Sequence, residues 1–161
     1  MRKFFVLLIL SALILSASSC GKREPVYVNL SDLAGQLQSE GYLDGFVKAD
    51  DGRIKMEYGL TGAETKQIEV YLSESAYSAG EVFMCEAADD DSKANIVSRL
   101  KNRRVNKQLM MTNYVANPNF ADEYADITRS GVTVRDMFVF YVISPNDKAV
   151  NGVINSAIKG A

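Results

Sequence analysis

From Gln67 to Ala87 the chain reads QIEVYLSESAYSAGEVFMCEA, two runs rich in strand formers, Gln67–Glu74 and Glu81–Ala87, joined by the loop Ser75–Gly80. In the first run Ile68, Val70 and Leu72 alternate with Glu69 and Tyr71, the period-two pattern of a half-buried strand. In the second, Val82, Met84 and Glu86 share one face and Phe83, Cys85 and Ala87 the other, which is the better core candidate. A short loop between two such runs joins antiparallel neighbours, so the fold is organised by an antiparallel sheet.

Toward the C-terminus, Asp89-Asp90-Asp91 and Ser92 lead into a helix from Lys93 to about Asn113, where the acids cap the helix and complement its dipole. Three aspartates without the ligand spacing of a calcium loop read as that cap. Asn117-Pro118-Asn119 breaks the chain, Phe120–Tyr124 adds a helical turn, and Asp126–Thr128 opens a second strand pair with Gly131 at its bend. Asp136–Ser144 (DMFVFYVIS) is the most apolar run after the N-terminus and reads as a central strand stopped by Pro145. A last helix follows, with Val150, Ile154 and Ile158 on its core face.

Toward the N-terminus, Val26–Leu30 (VYVNL) reads as a strand, and Ser31 with Asp32 as the N-cap of a helix through about Ser39. Glu40–Gly62, punctuated by glycines and by the turn Asp50-Asp51-Gly52, reads as loops around a short segment, Ile54–Tyr58. The order is β-α-β-β-α-β-β-α, a two-layer α+β domain with a mostly antiparallel sheet and its helices on one face.

The N-terminus has a different character. Arg2 and Lys3 precede an apolar run from Phe4 to Leu15 that only Ser11 interrupts, and small residues follow to Ser19. This is the layout of a secretory signal, and the run is too short for a bilayer-spanning helix of roughly 20 residues. Ala17-Ser18-Ser19-Cys20 resembles the lipobox of bacterial lipoproteins, which implies a diacylglycerol, with palmitate-type chains, on the Cys20 thiol and cleavage before it. The expected organisation is a signal peptide over 1–19, a lipidated cysteine and polar tether over 20–25, and one globular domain over 26–161. Ordinary secretion is the alternative, with a Cys20–Cys85 disulfide then open to formation.

Composition narrows the chemistry. Histidine is absent, which removes the usual general base near neutral pH and the commonest transition-metal ligand. Without Arg2 and Lys3, 16 basic residues face 20 acidic ones, a balance that argues against nucleic acid as a partner. No metal or other cofactor is expected. Six basic residues (Lys93, Arg99, Lys101, Arg103, Arg104 and Lys107) and no acidic one lie between Lys93 and Lys107. The plain reading is a solvated helix face plus one arginine, Arg104, whose stem packs on the apolar stripe Val97–Leu100–Met111 and whose head pairs with a carboxylate. The sharper reading makes Arg99, Arg103, Arg104 and Lys107 a binding surface for an anionic partner such as lipid headgroups, a cell-wall polymer or a protein's acidic patch. Cys85, flanked on its face by Phe83 and Ala87, reads as a buried, inert thiol. Scattered tyrosines, with no tryptophan, read as core edges rather than as a binding groove.

Several of these residues line up with a known family: Tyr58-Gly59, the serine loop Ser75–Ser78 before Glu81-Val82 and Ala87, an arginine at 103 or 104, Tyr114 with Pro118, Gly131, and Val142-Ile143-Ser144. From Val26 onward the chain resembles the uncharacterised bacterial lipoproteins grouped as domain-of-unknown-function family 4358, with Val132–Arg135 as extra length in the last hairpin. The resemblance implies an anchored extracytoplasmic domain and no catalytic residues. The expected role is contact, as a binding or structural lipoprotein on the outer face of the cell membrane. An envelope enzyme working through carboxylates is the alternative, and a bare subunit of a larger complex a third.

Overall fold

A computed structural model of the chain describes residues 26–75, 78–112 and 118–159. The signal segment, Cys20 and the tether, with Tyr77 and Tyr114, lie outside the described residues. The elements run α1 (Leu30–Ser39), β1 (Phe46–Lys48), α2 (Asp51–Tyr58), β2 (Thr65–Ser73), β3 (Glu81–Ala87), α3 (Asp90–Thr112), α4 (Pro118–Arg129), β4 (Val132–Arg135), β5 (Phe138–Ile143) and α5 (Asp147–Lys159).

β2 and β3 form the expected hairpin, with Val70 opposite Phe83 and Ile68 opposite Cys85. β5 adds antiparallel to β3, Phe83 facing Tyr141, and the sheet is completed in the order β1-β2-β3-β5-β4. The class is therefore α+β with a five-strand antiparallel sheet, as the sequence indicates.

The helices divide between the two faces of that sheet instead of sharing one. Ile54 and Tyr58 of α2, Ile96 and Leu100 of α3 and Ile127 of α4 pack on the side of Val70, Phe83, Cys85 and Tyr141. Leu30, Leu33 and Leu37 of α1, with Val150 and Ile154 of α5, cover Val82, Met84, Phe138 and Phe140 on the other. Both faces of β3 are thus core, not the Phe83–Cys85–Ala87 face alone. All six residues of β5 are buried, which is why DMFVFYVIS reads as an unbroken apolar run rather than an alternating one. Each large side chain enclosed there contributes about 2 kcal/mol of burial.

Four local expectations give way. Val26–Leu30 is no strand: Asn29, not Ser31 or Asp32, caps α1, its side chain accepting from Ser31 N at 3.0 Å and Asp32 N at 3.3 Å. The Gln67 side chain takes the place of a strand partner there, accepting from Leu30 N at 2.9 Å and donating to Val28 O at 3.1 Å. Asp50 is likewise no turn residue but the N-cap of α2, accepting from Arg53 N at 2.7 Å, so 40–62 holds a strand and a helix among its loops. Asp126–Thr128 lies inside α4, because burying Ile127 under the sheet outweighs three residues of weak strand propensity. The last hairpin turns at Asp136, which carries φ 53, not at Gly131, and Val132–Arg135 forms its edge strand.

Candidate functional site: a polar cleft beside helix α3

The basic stretch folds as expected into a helix, α3, begun by Asp89, whose side chain accepts from Ser92 N at 2.7 Å. That bond holds the Asp89 carboxyl below its usual pKa. Arg99, Arg103 and Lys107 recur at i, i+4, i+8 and so share one side of the helix.

That side meets a carboxylate the sequence reading passed over. Glu81, the first residue of β3, is fully buried. Arg103 Nε donates to both of its oxygens, at 3.1 and 2.9 Å, and Lys107 Nζ donates to Oε2 at 2.5 Å. Lys107 also donates to Ala79 O at 2.8 Å. Arg103 Nη1 reaches Glu57 Oε2 at 3.0 Å and Glu57 O at 3.1 Å, and its guanidinium lies 4.6 Å from the centre of the Tyr58 ring. Burial opposes the charge on Arg103, but Glu81, Tyr58 and Glu57 outweigh it and raise its pKa. For Lys107 burial wins, and its pKa is lowered despite Glu81. Burial, aided by the charge of Glu81, pushes the Tyr58 hydroxyl up.

The other two arginines go elsewhere. Arg99 pairs with Glu64 at 3.0 Å and donates to Gly59 O at 2.9 Å. Arg104 is not carboxylate-paired: its Nε and Nη2 donate to Ile127 O and Thr128 O, at 3.3 and 2.8 Å, in the last turn of α4. Those carbonyls have no further helical N–H to meet, so a guanidinium fork suits them. The four basic residues proposed as one surface are therefore placed along one helix, with their heads engaged within the protein.

Above this cluster, between α2, α3 and the β2–β3 loop, lies an open cleft of ≈ 830 Å³. Its walls include Arg53 and Glu57 from α2 and Asn102, Asn106 and Met110 from α3, over a floor of Leu72, Ser73 and Gly80. A hollow of ≈ 380 Å³ opens on the other side of the loop, where Glu123 accepts from Ala79 N at 2.9 Å. Cys85 lies away from both, buried in the sheet with its thiol pushed up to about 12 by burial. Among the described residues, no cluster of three or more acids or cysteines is placed to hold a metal, and no helix is long and apolar enough to cross a membrane.

The molecule is thus an α+β domain whose basic helix is riveted to a buried glutamate beneath an open polar cleft. The chain belongs to the DUF4358 family, a domain of unknown function, whose model matches residues 40–144. That span contains the whole sheet and all of Glu57, Glu81, Arg103 and Lys107, and it leaves α1 and α5 outside. No curated protein and no solved structure matches the chain.

Proposed function

We propose that this is a lipid-anchored extracytoplasmic domain, tethered through Cys20, that works by contact and binds its partner in the cleft beside α3. The anchor rests on the signal layout before Cys20. The observation that carries contact over catalysis is the engagement of the charged groups. Glu81 is enclosed by Arg103 and Lys107, and Glu57 is held by Arg103, so neither carboxylate is placed as a free acid or base. Beside the charged ends of Arg53 and Glu74, what the cleft offers an incoming molecule is carboxamide, hydroxyl, backbone and thioether. Such groups orient a ligand without moving protons.

The anchoring is tested by intact mass of the membrane-extracted protein beside a Cys20→Ala variant. The expected result is a chain beginning at Cys20 with an added diacylglyceryl group that the variant lacks. An unacylated, released chain overturns the anchored reading.

A further inference from the structure

The geometry points to a second copy of this chain as the partner of the outer side of α3, the two helices antiparallel about a twofold axis level with Lys107. The inference goes beyond the binding role given to the cleft. The two halves of α3 are held differently. Its fully buried residues, Ile96 and Leu100, lie in the first half. The second half rests the partly buried Met111 on the core and is otherwise held by polar groups, Arg103 and Lys107 on Glu81 and Arg104 on the end of α4. On its outer side Asn102, Val105, Leu109 and Thr112 are all exposed, Val105 by 51% and Leu109 by 64%. They recur every three or four residues, the stripe that a coiled-coil helix turns to its neighbour. Every helix has positions so spaced, but here an apolar pair holds the middle of the stripe and none of the helix's six basic residues falls on it.

The stripe is complementary to itself. With the axis level with Lys107, midway between Val105 and Leu109, Val105 of each copy meets Leu109 of the other, and Asn102 meets Thr112 about a turn further out on either side. Those end pairs suit each other chemically. Thr112 gives its hydroxyl proton to Gln108 O at 2.8 Å, which leaves its oxygen to accept from a carboxamide. The Asn102 carboxamide has no hydrogen-bond partner among the described residues. Antiparallel pairing also opposes the two helix dipoles, whereas parallel pairing would align them and bring the two Lys101 to one level.

Charge admits a second copy although the helix is basic. Arg99, Arg103 and Lys107 turn to Glu64, Glu57 and Glu81, and Arg104 turns to the carbonyls of α4, which leaves the outer side of the second half without charge except at Lys101. The residues flanking the axis are the uncharged Asn106 and Gln108. In the antiparallel register the two Lys101 stand about 18 Å apart along the helices, beyond a Debye length of about 8 Å at physiological salt. A lipid surface would favour basic heads beside the apolar pair, and here those heads are turned inward. The seam is only one helix wide, so the dimer is a weak one that forms as concentration rises.

The test mixes two differently tagged full-length chains in detergent micelles, one carrying Val105→Cys and the other Leu109→Cys, and oxidises them at rising concentration. Non-reducing gels read the dimers, and peptide mass maps each bridge, so the state of Cys20 does not enter the readout. The expected bridge joins position 105 of one chain to position 109 of the other. Same-site bridges are expected to be rare, because equal positions are displaced by four residues, about 6 Å along the helices, on top of the width between them. Sedimentation equilibrium of the native chain should show a dimer whose affinity Leu109→Asp lowers at least about tenfold, with the thermal unfolding midpoint unchanged because Leu109 is exposed. Several outcomes overturn the inference: a native chain that stays monomeric, same-site bridges in the majority, or bridging no more frequent than that of Met56→Cys, an exposed site on α2. Cysteines at 105 and 109 that are shielded from a maleimide without bridging mean that another molecule covers the stripe, and overturn it equally.

Discussion

Arg103 and Glu81, 22 residues apart, meet through a single guanidinium nitrogen that donates to both carboxylate oxygens, with the glutamate fully enclosed. Lys107 shares the same carboxylate, so one buried anion joins the middle of α3 to the start of β3. A buried pair of this kind adds little net stability over an apolar packing, but its halves cannot be separated cheaply.

Glu81→Ala is therefore expected to leave the largely enclosed Lys107 without a carboxylate and Arg103 with Glu57 alone, and to cost about 3 kcal/mol. Urea denaturation followed by far-ultraviolet circular dichroism measures it. A loss below about 1 kcal/mol would mean that water reaches the cluster and that the glutamate is not enclosed.

Alkaline conditions act through groups on the same sheet. Burial pushes Cys85 from an ordinary 9.0 to about 12 and Tyr141 from 10.0 to about 12, and Tyr58 rises too. The folded state holds these protons where the unfolded chain releases them, so the contribution of these three groups is level below about pH 9 and falls as pH rises from there toward 12. Urea midpoints at pH 8 and pH 11 should show that drop, smaller in Cys85→Ala. Cys85 itself should resist a thiol reagent at pH 8 until denaturant is added.

Replacing the cap distinguishes two readings of the same sequence. Asn29→Ala is expected to cost about 1 kcal/mol, because its side chain serves the Ser31 and Asp32 amides, while Ser31→Ala changes stability by only a few tenths. Thermal or urea unfolding of the two variants decides it, and the reverse order would restore Ser31 as the cap.

Arg104 grips the end of α4 through two carbonyls. Arg104→Lys keeps the charge but loses the planar fork, so faster amide exchange is expected over residues 124–130, with a stability loss of about 1 kcal/mol. Exchange unchanged in that segment would show that the contact does not hold the helix end.

Much of the architecture was legible because it is local. The alternation of Ile68, Val70 and Leu72, the unbroken apolar run into Ile143 and the i, i+4 spacing of Val150 and Ile154 each declare an element within a few residues, and all three stand in the structure. Asp126–Thr128 and Val26–Leu30 misled for the converse reason: a few β-prone residues yield to the burial of Ile127 and to the cap at Asn29. The missed glutamate follows the same logic. Glu81 has a charge at the start of a strand, which by sequence reads as a solvated edge.

The sequence by itself determined the α+β class, the central hairpin, the long basic helix and the layout around Cys20, since periodicity and residue order carry these without knowledge of distant neighbours. Only the tertiary structure decided which way the basic helix faces and that its arginines have three different partners. Arg103 meets Glu81 and Glu57 across 22 and 46 residues of chain, and a contact of that separation depends on how helices and sheet pack, which no local pattern records.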